Sequence, residues 1–248
     1  MSSYPYRIKS FGTKALLLEW PKNISPGLIR EISAFGDFLI KNYLNQPKWE
    51  ALPIYHSLTL ISPEKEPDLA AVAEQINTAW QAFAGHKQKS GREWVLPVCY
   101  EGDFALDLEE VSNRLKLSPA ELIALHCSVS YPVYGIGFLP GFVYLGGVPE
   151  ALVLPRRESP RLRVPAGSVG LAGVQTGIYP QQSPGGWNII GNCPIPLFDA
   201  QREPPCFIQI GDTVRFRAVS AAEHELHRIE GQVGIYDFSK RIAHDADK

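Results

Sequence analysis

Strand-like and helix-like apolar patterns take turns along the first third of the chain. Residues 4–20 read as two strands about a turn at Gly12, with "ALLLEW" the more buried of the pair. Ser25 before Pro26 is a helix-start arrangement. Leu28, Ile29, Ile32, Phe35 and Leu39 then recur at three- and four-residue spacing, which predicts an amphipathic helix. "WEALPIYHSLTLIS" follows as one extended segment interrupted by Pro53, and a second helix starts after Pro67 with Leu69, Val72, Ile76, Ala79 and Phe83 in register. The order ββαβα predicts a small α+β domain over residues 1–87, in which two helices cover one face of an antiparallel sheet. "GHKQKSG", residues 85–91, is polar with glycines at both ends and reads as a linker.

Beyond it the pattern changes. "EWVLPVCY" is strand-like, Asp107 with Glu110 three residues on caps a short helix, and Ser118, Pro119 and Glu121 form a second capping box ahead of Leu122, Ile123 and Leu125. From Tyr131 onward short apolar runs, among them "RVPAGSVGLAGV", "GWNIIG", "PIPLF" and "DTVRFRAV", are broken by Gly and Pro. Many short strands between such turns predict a mainly-β barrel domain over residues 92–248, with two short helices near its start.

Composition changes this picture little. The chain has 248 residues, 45% hydrophobic and 20% charged, with a formal net charge of −2, an ordinary globular balance that gives no reason to expect nucleic acid. Cys99, Cys127, Cys193 and Cys206 are widely spaced and form no CxxC or Cys/His cluster, so no metal site is read from them and they are expected reduced and mostly buried. The N-terminus has Arg7, Lys9 and Lys14 around a short apolar run, which fits neither a signal peptide nor a membrane span. A cytoplasmic protein is the expectation.

Candidate chemistry gathers in the middle of the second domain. Arg156, Arg157, Arg161 and Arg163 fall within "PRRESPRLR"; in extended chain Arg161 and Arg163 share a side and can fork onto a carboxylate or phosphate, or stand as a solvated edge partnered by Glu158. The stretch from Val164 to Trp187 holds six glycines and three prolines without a charged residue. Barrel turns needing positive φ account for most of these glycines, while Ser183, Gly185, Gly186 and Trp187 in "SPGGW" read as a preformed ligand wall, with outward backbone N–H groups beside a flat ring. Gln175 and Thr176 offer neutral donors and acceptors, to a ligand or to the turn itself. His126 ends a predicted helix, as a residue at the helix C-terminal dipole or as a base. "GFLPGFVYLGG" suggests a packed loop or an exposed aromatic patch, Tyr131, Tyr134 and Tyr144 are core candidates, and His224 and His227 belong to a solvated helix.

Three long segments, "LIALHCSVSYPVYGIGFLPGFVYLGGV", "LPRRESPRLRVPAGSVGLAGVQTGIYPQQSPGGW" and "IIGNCPIPLFD", resemble the KipI family, also called the B-type subunit of ATP-dependent 5-oxoprolinase and allophanate hydrolase subunit 1. The resemblance is dense over residues 94–219 and looser before them. It implies a cyclophilin-like barrel and a non-autonomous role beside a sister carboxyltransferase-like subunit and a third hydrolase subunit. It also implies ATP at the level of the assembled complex and no cofactor in this chain, which has no P-loop motif. In that scheme His126 is catalytic, Arg157 and Arg163 hold a substrate carboxylate with Arg156 nearby, Gln175 meets the lactam, and the "SPGGW" amides face a developing oxyanion. The same family implies two alternatives: inhibition of a sporulation-type histidine kinase, and half of a biotin-dependent carboxyltransferase. Prolyl isomerisation follows from fold analogy alone. Two departures stand out: "YEGDFALDL" replaces a longer Gly-rich segment, and Asn192-Cys193 stands where the family commonly has Arg-Thr.

Overall fold

A computed structural model describes residues 5–45, 47–64, 67–83 and 91–243. The chain divides into two compact units at Gly91; residues 85–90 of the expected linker lie outside the described residues.

In the first unit β1 (Arg7–Phe11) and β2 (Ala15–Glu19) form a hairpin about Gly12, followed by α1 (Pro26–Asn42), β3 (Glu50–Ile54), β4 (Ser57–Ile61) and α2 (Leu69–Phe83). Ser25 caps α1 by accepting from the Leu28 N–H at 3.2 Å. The sheet order is β1-β2-β4-β3. Leu16 and Leu18 on β2 and Leu58 and Leu60 on β4 point to one face, where Ile32, Phe35 and Leu39 of α1 and Ile76 and Ala79 of α2 pack on them. One sequence expectation fails here. The segment around Pro53 is a hairpin of two strands, making the order ββαββα. Its two-residue turn is Tyr55-His56, with Tyr55 at φ +53°, and neither residue is one that signals such a turn. Pro53 is tolerated because β3 lies at the sheet edge.

The second unit contains a closed barrel of order β10-β7-β6-β13-β5-β12-β9. Its strands are β5 (Glu93–Cys99), β6 (Ser130–Ile136), β7 (Val143–Gly146), β9 (Ser168–Ala172), β10 (Gln175–Ile178), β12 (Asn188–Asn192) and β13 (Thr213–Val219). Two short strands, β8 (Arg161–Val164) and β11 (Ser183–Gly185), pair as a separate ribbon. Closure removes the sheet edges, and the alternate residues Leu96, Val98, Tyr131, Val133, Val143, Leu145, Val169, Leu171, Val214 and Phe216 fill a common core. Helices α3 (Leu108–Leu115) and α4 (Pro119–Cys127) connect β5 to β6, and α5 (Ala221–Gln232) follows β13. The α4 capping box is formed in both directions between Ser118 and Glu121.

Three further expectations are corrected. Asp107 occupies the α3 N-cap, but its carboxylate makes no capping bond because it is turned toward arginines fifty residues on. His224 and His227 are buried, at 2% and 7% exposure: three-residue spacing places both on the α5 face against the barrel, where His224 Nε2 meets Asn192 Oδ1 at 2.9 Å and its ring lies 4.2 Å from Phe104. His126 ends α4 as expected, but not as a charged group at the helix dipole: it is enclosed in the core with its ring stacked on Phe216 at 4.6 Å.

Candidate functional site

Asp107 organises the arginine segment. Its side chain is 1% exposed and accepts from Arg157 Nη1 at 2.9 Å, from Arg161 Nη1 at 2.8 Å with a second Arg161 contact through Nη2, and from the Ile189 backbone N–H at 2.6 Å. The Asp107 N–H donates back to the Ile189 carbonyl at 2.7 Å, lacing the start of α3 to β12. Arg157 also reaches Glu110 at 3.0 Å, and its backbone N–H donates to the Gly186 carbonyl at 2.8 Å. Asn188, fully buried, donates to the carbonyls of Pro155 and Leu171, both at 3.0 Å, and so ties the entry to the arginine run onto the barrel. The expected clamp therefore divides in two. Arg157 and Arg161 spend their forks on an internal carboxylate, a geometry in which charge-assisted bonds are strongest, whereas Arg156 and Arg163 are exposed and make no ion pair among the described residues. Arg161 and Arg163 do not act as a pair.

Beside the arginines lies a second, smaller core. Phe142, Tyr179 and Trp187 meet edge to face, with centroids 5.1 Å apart for Phe142–Tyr179 and 5.5 Å for Phe142–Trp187, the arrangement favoured by the ring quadrupole. Trp187 is buried, so it is not the exposed wall expected from "SPGGW". The Gly186 carbonyl is taken by Arg157, and Gly185 and Gly186 are not among the residues with positive φ. Gly185 is required by close approach: a Cβ there would stand 2.3 Å from the Tyr179 hydroxyl. At Gly177 it would stand 2.8 Å from the Val143 carbonyl and 3.1 Å from the Trp187 ring. Ser183 is buried and donates to the Pro184 carbonyl at 3.1 Å. Gln175, half-buried, opens β10 and shares the face of Gly177 two residues on.

What remains accessible over this cluster is Arg156, whose guanidinium lies 6.0 Å from the Trp187 ring centre, together with half-buried Tyr144 and Phe138. Phe138 is 68% exposed, sits edge-on to Phe142 at 5.9 Å and holds φ +69°, a left-handed conformation that costs a bulky residue free energy and concentrates at ligand-facing sites. Burial pushes the Tyr144 hydroxyl above its ordinary pKa while the nearby Arg156 charge opposes that shift. A cation over an aromatic floor, with no internal carboxylate to occupy it, suits a small ligand that carries a carboxylate and an apolar or planar body.

His126 has a different part. Its Nδ1 meets the Tyr100 hydroxyl at 2.7 Å and its Nε2 meets Thr176 Oγ1 at 3.0 Å, while Thr176 donates its own proton to the Gly170 carbonyl at 3.1 Å. That chain fixes the tautomer: Nε2–H donates to Thr176, and Nδ1 accepts from Tyr100. Burial lowers the ring's pKa to about 3, so it is neutral, and with both nitrogens engaged and no exposed surface it is a hydrogen-bonding post of the barrel core instead of the catalytic base expected. Among the described residues no three His, Cys, Asp or Glu side chains are grouped to hold a metal ion, and no helix is long and apolar enough to cross a membrane. All four cysteines are free thiols; Cys99 and Cys193 are buried, and burial raises Cys193 to about 12.

The sequence and fold are shared with known proteins. The family model of the carboxyltransferase domain, subdomain C and D, matches residues 6–208. The B-type subunit of 5-oxoprolinase from Bacillus subtilis (strain 168) is 34% identical over 238 residues, covering 91% of this chain and 98% of that protein. Its namesake in Escherichia coli O157:H7 is 42% identical over 167 residues, 67% of this chain and 76% of the other. Among solved structures, TTHA0988 superposes with a TM-score of 0.71 at 36% identity; the match covers 84% of this chain and 40% of that longer one. The Kluyveromyces lactis urea carboxylase gives a TM-score of 0.75 over 94% of this chain and 23% of that one, and at 15% identity it shares the fold.

Proposed function

Because the chain belongs to the family of the carboxyltransferase domain, subdomain C and D, we propose that it is one subunit of a heteromeric amide hydrolase that opens 5-oxoproline to glutamate at the expense of ATP. The observation that carries this reading is the 34% identity to the B-type subunit of 5-oxoprolinase over 98% of that protein's length.

The surface over the aromatic cluster supplies the matching chemistry. 5-Oxoproline is a flat five-membered lactam with one carboxylate, and Arg156 above Trp187 offers the cation while Phe138 and Tyr144 offer apolar edges for the ring. Arg157 does not touch the substrate in this scheme. Held by Asp107 and Glu110, it fixes the backbone of the segment that carries Arg156, through its own N–H to Gly186. Gln175, on the face of Gly177, remains the candidate for the lactam amide. Lactam opening needs an activated carbonyl, and the sequence has no glycine-rich phosphate loop, so we assign the nucleotide to companion chains: a sister carboxyltransferase-like subunit and a third hydrolase subunit. We place the assembly in the cytoplasm, where the four free thiols stay reduced.

Kinetics of the reconstituted enzyme test the site. Arg156→Ala should lower kcat/KM for 5-oxoproline by about 30- to 1000-fold, equivalent to roughly 2–4 kcal/mol, with Arg156→Lys recovering only part because it keeps charge without the fork. Arg163→Ala reports on the other arginine of that segment without an ion pair among the described residues. Full activity in both Arg156 variants would remove the carboxylate-binding role, and a loss confined to Arg163→Ala would move it to β8.

A further inference from the structure

Helix α5 is laid on the barrel by one face and leaves the opposite face uncovered. The seated face is His224, His227 and Gly231; a Cβ on Gly231 would lie 2.9 Å from Pro196. At about 100° per residue, the other side carries Ala222, Leu226, Ile229 and, just past the helix end, Val233. The three larger side chains are 56%, 46% and 62% exposed. Single exposed aliphatic residues are common, but these stand in one register. Their spacing of four, three and four is that of the a and d positions of a heptad, the pattern whose apolar seam receives the side chains of another helix.

The flanks say what kind of helix fits. Glu223 and Glu230 border the seam on one side, Glu225 and Gln232 on the other, and no lysine or arginine takes a bordering position. The three carboxylates have local partners, Glu223 with Arg217 and His227, Glu225 with Arg228, and Glu230 with His227, yet each stays more than one third exposed. A second copy of α5 would set glutamates against glutamates, which disfavours self-pairing; a helix with lysine or arginine at its flanking positions is complementary.

We propose that the Ala222–Leu226–Ile229–Val233 seam is the docking site for an amphipathic helix of another subunit of the assembly, apolar at the matching positions and basic at its flanks. The seam lies beyond residue 208, where the family-model match ends. It rests on the subunit reading above, and on none of the residues around Arg156.

The test is co-expression of the full chain with its companion subunits, followed by gel filtration and a binding titration between the purified parts. Leu226→Asp should weaken assembly roughly tenfold or more. The pair Glu225→Lys and Glu230→Lys should weaken it several-fold and flatten its dependence on salt. Leu226→Asp should keep the circular dichroism and melting temperature of the unaltered chain, since that side chain is exposed, and the lysine pair should keep the circular dichroism. Assembly of Leu226→Asp at full affinity overturns the proposal, and so does a homodimer of the unaltered chain that Leu226→Asp dissolves. Failure of the unaltered chain to assemble overturns the subunit reading and the docking site with it.

Discussion

Replacing Asp107 by Asn removes one charge and almost no volume. It leaves the Arg157 and Arg161 side chains, each 25% exposed, facing a neutral amide, while the Asn oxygen can still accept from the Ile189 N–H. Removing one partner of a fully buried ion pair costs about 3–5 kcal/mol. The arginines here are partly hydrated and Arg157 keeps Glu110, so the loss should be about 2–3 kcal/mol. For a domain of this size each kcal/mol moves the melting temperature by roughly 2–4 °C. Calorimetry of the full chain should therefore show the transition of the barrel unit lowered by about 5–10 °C. Glu110→Gln touches the same Arg157, but its carboxylate is 51% exposed, and it should cost less than about 1 kcal/mol. A double-mutant cycle of Asp107→Asn with Arg161→Gln should return a coupling of about 1–3 kcal/mol. If Asp107→Asn melts within about 2 °C of the unaltered chain, or if Glu110→Gln costs as much, Asp107 is not the post on which the arginine segment hangs.

Two further outcomes follow from the same packing. His126 stays neutral in the folded chain down to about 3 but takes up a proton near 6.5 once unfolded, so its contribution to stability is complete above pH 6.5 and is lost as pH falls toward 3, at ~1.4 kcal/mol per unit. A denaturant series from pH 7 to 4 should show that slope, with a smaller addition from His224, whose pKa burial also lowers, and His126→Gln should reduce it by about one proton; an unchanged slope would mean the ring is not sealed from solvent. Gly185→Ala should destabilise by about 1–3 kcal/mol, since the new methyl displaces the buried Tyr179 ring and its hydroxyl. Its unfolding curve, set beside that of Gly186→Ala, where the nearest atom would be 3.6 Å away, separates close approach from turn conformation.

The elements that the sequence makes legible are those whose signals are local. Ser25-Pro26 and the Ser118–Glu121 box mark helix starts through atoms a few residues apart, and the α1 and α2 stripes bury the side chains their spacing selects. The β3–β4 turn was not legible because Tyr55-His56 has no turn chemistry; sheet pairing enforces it. Asp107 was hidden for a related reason. A cap-like aspartate in "ALDLEE" looks the same whether it bonds its own helix or an arginine fifty residues on, and only folding decides. The burial of His126, His224 and His227 is not legible because a polar residue beside apolar ones gives no sign of whether Tyr100, Thr176 or Asn192 will arrive to satisfy it. The glycines of that stretch from Val164 to Trp187 have a cause the sequence does not display. Gly177 and Gly185 are small because rings lie on them, and the groups left accessible beside those rings are Arg156 and Phe138.

The most direct measurement of the central claim is conversion of isotopically labelled 5-oxoproline to glutamate, followed by NMR with ATP present, for the purified chain, for its companion subunits and for the mixture. The subunit account predicts labelled glutamate, with matching ATP consumption, from the mixture alone. Steady glutamate production by this chain without companions, or by the companions without this chain, would contradict it.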